Sequence, residues 1–398
     1  MDGGTRVHAS WTTFLGVFER AGSAWSGLVA RSLLAGRLLD RWVVRRLVDP
    51  EGISVVAIGG STLGGSGKTP LAIACADELA RAGARCVLVG HAYRADPRRA
   101  RFVAPDDRLD EVGDEALLAA RALAPLGPRA ARVVVAPSRA EAIALAARAA
   151  DVVVLDGIAQ LSPARATLAL LSVDAAEPWG RSRALPPFGS LRAPIAKLVA
   201  ACDAIVPMAL SDDGPGFVGC GGVGPPMWPA RVESRGAWDD RGVLLTWEAM
   251  RSLRVGLLVA LGRPERLLRA LGRRGVFPRA LVRGRDHGPF GGAARRLARR
   301  AVARGIDVWL ATPKCALHAQ AGLPGLPVAV LEHSVALDPI LCNRLRAVAA
   351  LTRGVGTNSL ELLESTSQDR SMAAACAPSA RPLAASGVKM MMMMRRRA

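Results

Sequence analysis

The stretch ISVVAIGGSTLGGSGKTP, residues 53–70, governs how the rest of the chain is read. It opens with a run of β-branched and apolar residues, passes through a glycine-rich turn and ends at Gly67-Lys68-Thr69-Pro70, where helical spacing begins. Strand, glycine turn and helix start in that order are the context a phosphate-binding loop requires. The usual pattern G-x-x-x-x-G-K-[ST] places glycine where Thr62 stands. Gly64, Gly65 and Gly67 nonetheless free the backbone to turn its N–H groups inward around Ser66, because no Cβ obstructs the approach of phosphate oxygens. Lys68 is placed to reach β- and γ-phosphates, and the Thr69 hydroxyl to ligate Mg²⁺. The expectation is a nucleotide site with an altered entrance.

Outward from this loop the pattern repeats. Short apolar runs at 86–89, 132–136, 151–156 and 168–173 alternate with helical spacing at 68–82, 113–124 and 138–149. Continuous apolar strands separated by helices predict an α/β fold, a P-loop NTPase-like parallel sheet with helices on both faces. A second alternation over 253–332 predicts a smaller C-terminal α/β domain. Residues 211–242 are crowded with glycine and proline and read as a linker. The expected organisation is therefore 1–50 as an N-terminal basic amphipathic helical segment, 51–210 as the P-loop domain, 211–242 as linker, 243–353 as the smaller domain and 354–398 as a disordered tail.

Composition narrows the partners. The 398 residues carry 53 Lys+Arg against 34 Asp+Glu, a net charge of +19, which favours anionic ligands. Aromatics are only 4%, too few for a protein that stacks nucleic-acid bases, so no nucleic acid is expected. Seven scattered cysteines without a C-x-x-C pair argue against a disulfide framework or a zinc site. No 18-residue apolar run predicts a membrane span, and no secretory leader is expected. Within 26–48, Leu34, Leu38 and Trp42 recur at four-residue spacing beside Arg37, Arg41 and Arg45. Such a helix either packs on the protein's own core or lies in a bilayer interface with its arginines on lipid phosphates.

Three further motifs bear on chemistry. VGDEALLAARAL, residues 112–123, sets Asp114 and Glu115 at a helix start. They are either favourable first-turn acids, or a pair that holds Mg²⁺ or accepts a proton from an attacking hydroxyl. VVVLDG, residues 152–157, ends an apolar strand in Asp156, which a parallel sheet delivers to the ligand crevice beside the loop. His287, one of five histidines, follows Asp286 in a glycine-rich loop, and its spacing alone assigns it nothing.

Taken together, the blocks resemble one family, the tetraacyldisaccharide 4'-kinases of lipid A biosynthesis. IGGSTLGGSGKTP is similar to that family's phosphate loop, which also carries threonine at the position of Thr62. VGDEALLAARAL, WGRSRALPPFGSLRAPIAKLVAACDAIV (179–206), GRPERLLRAL (262–271), RDHGPF (285–290) and TPKCA (312–316) follow in the family's order. The resemblance implies transfer of the ATP γ-phosphate to the 4'-hydroxyl of a tetraacyldisaccharide 1-phosphate. It implies Asp114 as general base supported by His287, with Thr69, Glu115 and Asp156 around Mg²⁺. It also implies an acylated disaccharide phosphate lipid as substrate, an anionic inner-membrane surface as docking partner of 26–48, peripheral placement on the cytoplasmic face of the bacterial inner membrane, and no obligate protein partner.

This chain departs from the family pattern at several points. The family's Asp-Asp-Gly becomes Leu155-Asp156-Gly157, the two acids of Thr-Glu-Lys-Asp become Pro313 and Cys315, and the Glu of Leu-Arg-Glu-Pro becomes Ala193. Two alternatives accompany the kinase reading: a family member that binds nucleotide and lipid with weakened or no turnover, and a P-loop NTPase that acts on protein partners.

Overall fold

Alternation of apolar strands with alanine-rich helices resolves into two sheets. The computed structural model describes residues 53–90, 92, 95–157, 166–186, 188–210, 224–261, 264–284, 288–323 and 327–352. The expected N-terminal helix, the tail, His287 and most of the segment after Gly157 lie outside these residues.

The first half runs β1 (Ser54–Gly60), α1 (Lys68–Arg81), β2 (Cys86–Val89), β3 (Arg101–Phe102), α2 (Leu109–Val112), α3 (Asp114–Leu123), β4 (Ala131–Val135), α4 (Arg139–Ala147), β5 (Val152–Asp156), β6 (Leu168–Asp174), α5 (Ile195–Ala200) and β7 (Ala204–Leu210). The second half runs β8 (Ala230–Glu233), β9 (Gly236–Trp238), β10 (Leu244–Thr246), α6 (Trp247–Arg251), β11 (Val255–Val259), α7 (Pro264–Arg273), β12 (Ala280–Arg283), α8 (Gly292–Ala303), β13 (Val308–Ala311), α9 (Pro313–Gly322), β14 (Val328–Leu331), β15 (Ser334–Ala336) and α10 (Pro339–Leu351).

Nine strands form the large sheet in the order β15-β8-β7-β6-β1-β5-β2-β4-β3. Its interior is parallel, and the edge strands β15 and β3 are antiparallel. The period-two alternation of strand side chains sorts the core into two layers. Val56, Ile58, Cys86, Leu88, Val152 and Val154 meet α1, α3 and α10 on one face. Val55, Val87, Val89, Val153 and Leu155 meet Ala142, Ile143 and Ala146 of α4 on the other. The predicted sheet with helices on both faces is what forms. Each fully buried aliphatic side chain contributes roughly 1.5–3 kcal/mol relative to exposure.

The smaller sheet has six strands in the order β10-β9-β14-β13-β11-β12, with β14, β13, β11 and β12 parallel. Its strands divide the chain differently from the expected boundaries. Residues 230–238, inside the stretch read as linker, form β8 and β9, and β8 extends the large sheet beside β7. Residues 334–351, expected in the smaller domain, return to the large sheet: β15 pairs with β8, and Leu341, Leu345 and Val348 of α10 are buried in the core shared with α1. Glycine and proline near 224–242 obscure strands this short, whose stability comes from a neighbouring edge and not from their own composition. Among the described residues no helix is long and apolar enough to cross a membrane.

Candidate active site

The register of the large sheet assembles the site. Ile58 of β1 lies opposite Asp156 of β5, and Gly60 opposite Ser172 of β6. The loop after β1 therefore rises between two strand ends, the crevice where open parallel sheets bind ligands. Gly67, the N-cap of α1, has φ +82°, and a methyl group there would meet Met208 Cγ at 2.8 Å. Conformation and close approach both demand glycine. Ser172 donates from Oγ to the Ser66 carbonyl at 2.6 Å, supporting the loop from the neighbouring strand. Thr62 is buried and its hydroxyl donates to the Gly64 carbonyl at 2.8 Å, so this side chain shapes the loop from within. Gly64 and Gly65 are exposed along the crest.

At the floor, the Thr69 hydroxyl donates to Asp156 Oδ2 at 2.8 Å. Asp156 is buried, and its Oδ1 has no hydrogen-bond partner among the described residues. A buried, orphaned carboxylate oxygen beside a threonine hydroxyl is the donor set that Mg²⁺ uses when the remaining positions go to phosphates and water. Among the described residues no cluster of three His, Cys, Asp or Glu suits a metal. Leu155 packs against α4 on the opposite face of the sheet, so the acid missing there relative to the family pattern is not missing from the face that carries Thr69. Arg139 closes the strand end, donating from Nη1 to the Asp156 carbonyl at 2.6 Å.

Asp114 and Glu115 open α3 directly after Gly113, whose φ of +84° and ψ of 157° again call for glycine. Asp114 is 3% exposed and faces α9 from the other half of the molecule. Thr312 caps α9 by accepting from the Cys315 N–H, and Pro313 occupies its first turn. Leu317 enters the core of the large sheet while Cys315, Ala316 and Ala319 enter the core of the small one. A helix wedged between two cores carries Lys314 and His318, four residues apart, onto the acidic start of α3. His318 Nε2 lies 3.0 Å from Asp114 Oδ2. Lys314 Nζ lies 3.3 Å from Glu115 Oε1 and 3.7 Å from Asp114 Oδ2.

The electrostatics link these parts into one site. Burial pushes the Lys68 ammonium down to about 8, with Arg192 acting in the same direction and Asp156 and Glu115 opposing it. Burial, reinforced by Glu115, raises Asp156 above the usual carboxylate range, and Lys68 and the Thr69 hydrogen bond pull it back. Arg192 holds the loop from the side, donating from Nε to the Thr62 carbonyl at 3.0 Å, and burial lowers its own affinity for a proton. A crevice with several strained cations is prepared for a polyanion.

The family model for tetraacyldisaccharide-1-P 4'-kinases matches residues 32–350. The chain belongs to this kinase family. A tetraacyldisaccharide 4'-kinase of Methylobacterium sp. (strain 4-46) is 33% identical over 331 residues, covering 80% of this chain and 92% of the relative. One from Anaeromyxobacter dehalogenans (strain 2CP-C) is 32% identical over 363 residues, covering 82% and 84%. The crystal structure of the "apo" form of LpxK from Aquifex aeolicus in complex with ATP matches with a TM-score of 0.57 at 20% identity, covering 87% of this chain and 99% of that one, which shows a common fold.

Against the sequence expectations, Lys68, Thr69, Glu115 and Asp156 converge, and Asp114 adjoins them through Glu115 and Lys314. His287 falls outside the described residues. Sequence reasoning assigned no role to Arg139, Arg192, Lys314 or His318. The signal for the last two was present: a strand end, a capping threonine and two basic residues spaced i, i+4 at a helix start.

Proposed function

We propose that the chain transfers the γ-phosphoryl group of ATP to the 4'-hydroxyl of a tetraacyldisaccharide 1-phosphate. Family membership supports the activity. The observation that supports the assignment of roles is Lys314, 3.3 Å from Glu115 and 3.7 Å from Asp114, with Glu115 acting in turn on the charge of Lys68, as expected of a phosphate binder and a proton acceptor that share one crevice.

In this reading the amides of Gly64 to Lys68 and the N-terminus of α1 cradle the triphosphate, and Lys68 and Arg192 offset its charge. Asp156 and Thr69, with Glu115 nearby, hold Mg²⁺. When bound, Mg²⁺ neutralises charge on the phosphate oxygens and fixes their orientation. Asp114 takes the proton of the 4'-hydroxyl as that oxygen bonds to the γ-phosphorus, and the bond to the β–γ bridging oxygen breaks to release ADP. His287 supports Asp114 as the resemblance implies. The basic, amphipathic sequence of 26–48 is the segment expected to place the enzyme peripherally on an anionic inner-membrane surface at its cytoplasmic face, where a lipid acceptor resides.

The test is incubation with γ-labelled ATP, Mg²⁺ and the tetraacyldisaccharide 1-phosphate in detergent micelles. Label in the lipid fraction is expected. ATP binding with no labelled lipid, beside an active control kinase, would select the inactive-member alternative.

A further inference from the structure

We propose that His318 is a positioning residue for Asp114, and that it orients the carboxylate that accepts the substrate proton. The inference rests on the reading of Asp114 as the base. Both side chains are buried, at 3% exposure each, so their 3.0 Å contact is shielded from the water that would otherwise solvate and reorient a carboxylate. His318 Nδ1 has no hydrogen-bond partner among the described residues. An imidazole with one proton therefore places it on Nε2, where Asp114 Oδ2 accepts it. A buried hydrogen bond to a charged acceptor fixes the rotation of the carboxylate about its Cβ–Cγ bond.

The placement of His318 also has a structural logic. It sits on α9, whose position is set by both cores, one turn after Lys314. Lys314 reaches both acids, and His318 pairs with Asp114. The pair thus divides the work: Lys314 balances the charge of Asp114 and Glu115, and His318 sets the direction of one of them. Because α9 belongs to the small sheet and α3 to the large one, the base is correctly aimed only while the two halves are packed together.

The experiment measures kcat and KM for both substrates in the full-length enzyme, with His318→Leu, His318→Gln, His318→Asn and Asp114→Ala. The amide nitrogen of glutamine reproduces the reach of Nε2, and that of asparagine falls short. The expected result is a fall in kcat of roughly 10–100-fold for His318→Leu and His318→Asn with ATP KM unchanged, and recovery of most of it in His318→Gln. A loss shared by all three His318 variants, or a loss in ATP KM with kcat intact, would overturn the positioning role. Wild-type kcat in His318→Leu beside an inactive Asp114→Ala would also overturn it. Retained activity in Asp114→Ala would instead sink the reading of Asp114 as base. If His318→Leu does not fold, the comparison of the glutamine and asparagine variants decides.

Discussion

At the scale of single residues, Lys68 makes the site sensitive to pH in a definite direction. Its ammonium titrates near 8 in the folded chain against 10.5 in an unfolded one. Between those values the unfolded chain holds a proton that the ATP-free fold does not, so this group's contribution to stability rises with pH through the window and is lost as pH falls to 8. ATP favours the charged lysine, so binding above pH 8 must take up a proton. Calorimetry of ATP binding in buffers of different ionisation enthalpy should show proton uptake that grows above pH 8, and affinity that falls by at most about tenfold per pH unit. Burial, reinforced by Glu115, likewise disfavours the charged form of Asp156, so Mg²⁺-dependent ATP binding is expected to weaken as pH falls. Asp156→Asn should lower kcat by roughly 10²-fold or more and remove the dependence of ATP affinity on Mg²⁺, read by titration with and without the metal.

At the scale of elements, the loop and the returning helix are the points of greatest leverage. Gly67→Ala forces a side chain into a left-handed conformation and onto Met208, so it should cost about 1–2 kcal/mol in chemical denaturation and weaken ATP binding as the loop shifts. Leu345→Ala opens a cavity between α10 and α1 and should cost about 2–5 kcal/mol, with the loss seen as a lower denaturant midpoint. Most strands and helices over residues 53–174 were legible because they carry a complete apolar run or helical face of their own; β3 and α2, two and four residues long, were not. β7 was not, because Pro207 interrupts it, although it lies between β6 and β8 with Pro207 opposite Val173. β8, β9 and β15 are three or four residues long and are held by pairing with neighbouring strands, β8 between β7 and β15 and β9 between β10 and β14. Nothing in so short a segment specifies which sheet it will join.

At the scale of the whole molecule, the two sheets meet at the active site. Arg266 of α7 donates to Asp174 Oδ2 at 2.7 Å and to the Met208 carbonyl at 3.0 Å, and its Nη1 lies 3.5 Å from the Gly65 carbonyl of the loop. Arg266→Ala leaves a mostly buried Asp174 without this partner, and should cost about 1.5–3 kcal/mol and raise the KM for ATP. The nucleotide half of the site was readable from sequence because Gly67, Lys68, Thr69 and Asp156 belong to local strand–loop–helix patterns. The acceptor half was less so: Lys314 and His318 reach Asp114 across about two hundred residues, a pairing that only the packing of α9 between two cores creates. The central claim is that this shared crevice phosphorylates one hydroxyl of a lipid. Mass spectrometry of the reaction product, with fragmentation across the disaccharide, tests it most directly. The account predicts one added phosphate on the sugar opposite the existing 1-phosphate, absent with Asp114→Ala. Hydrolysis of ATP with an unmodified lipid, or phosphate on the other sugar, would contradict it.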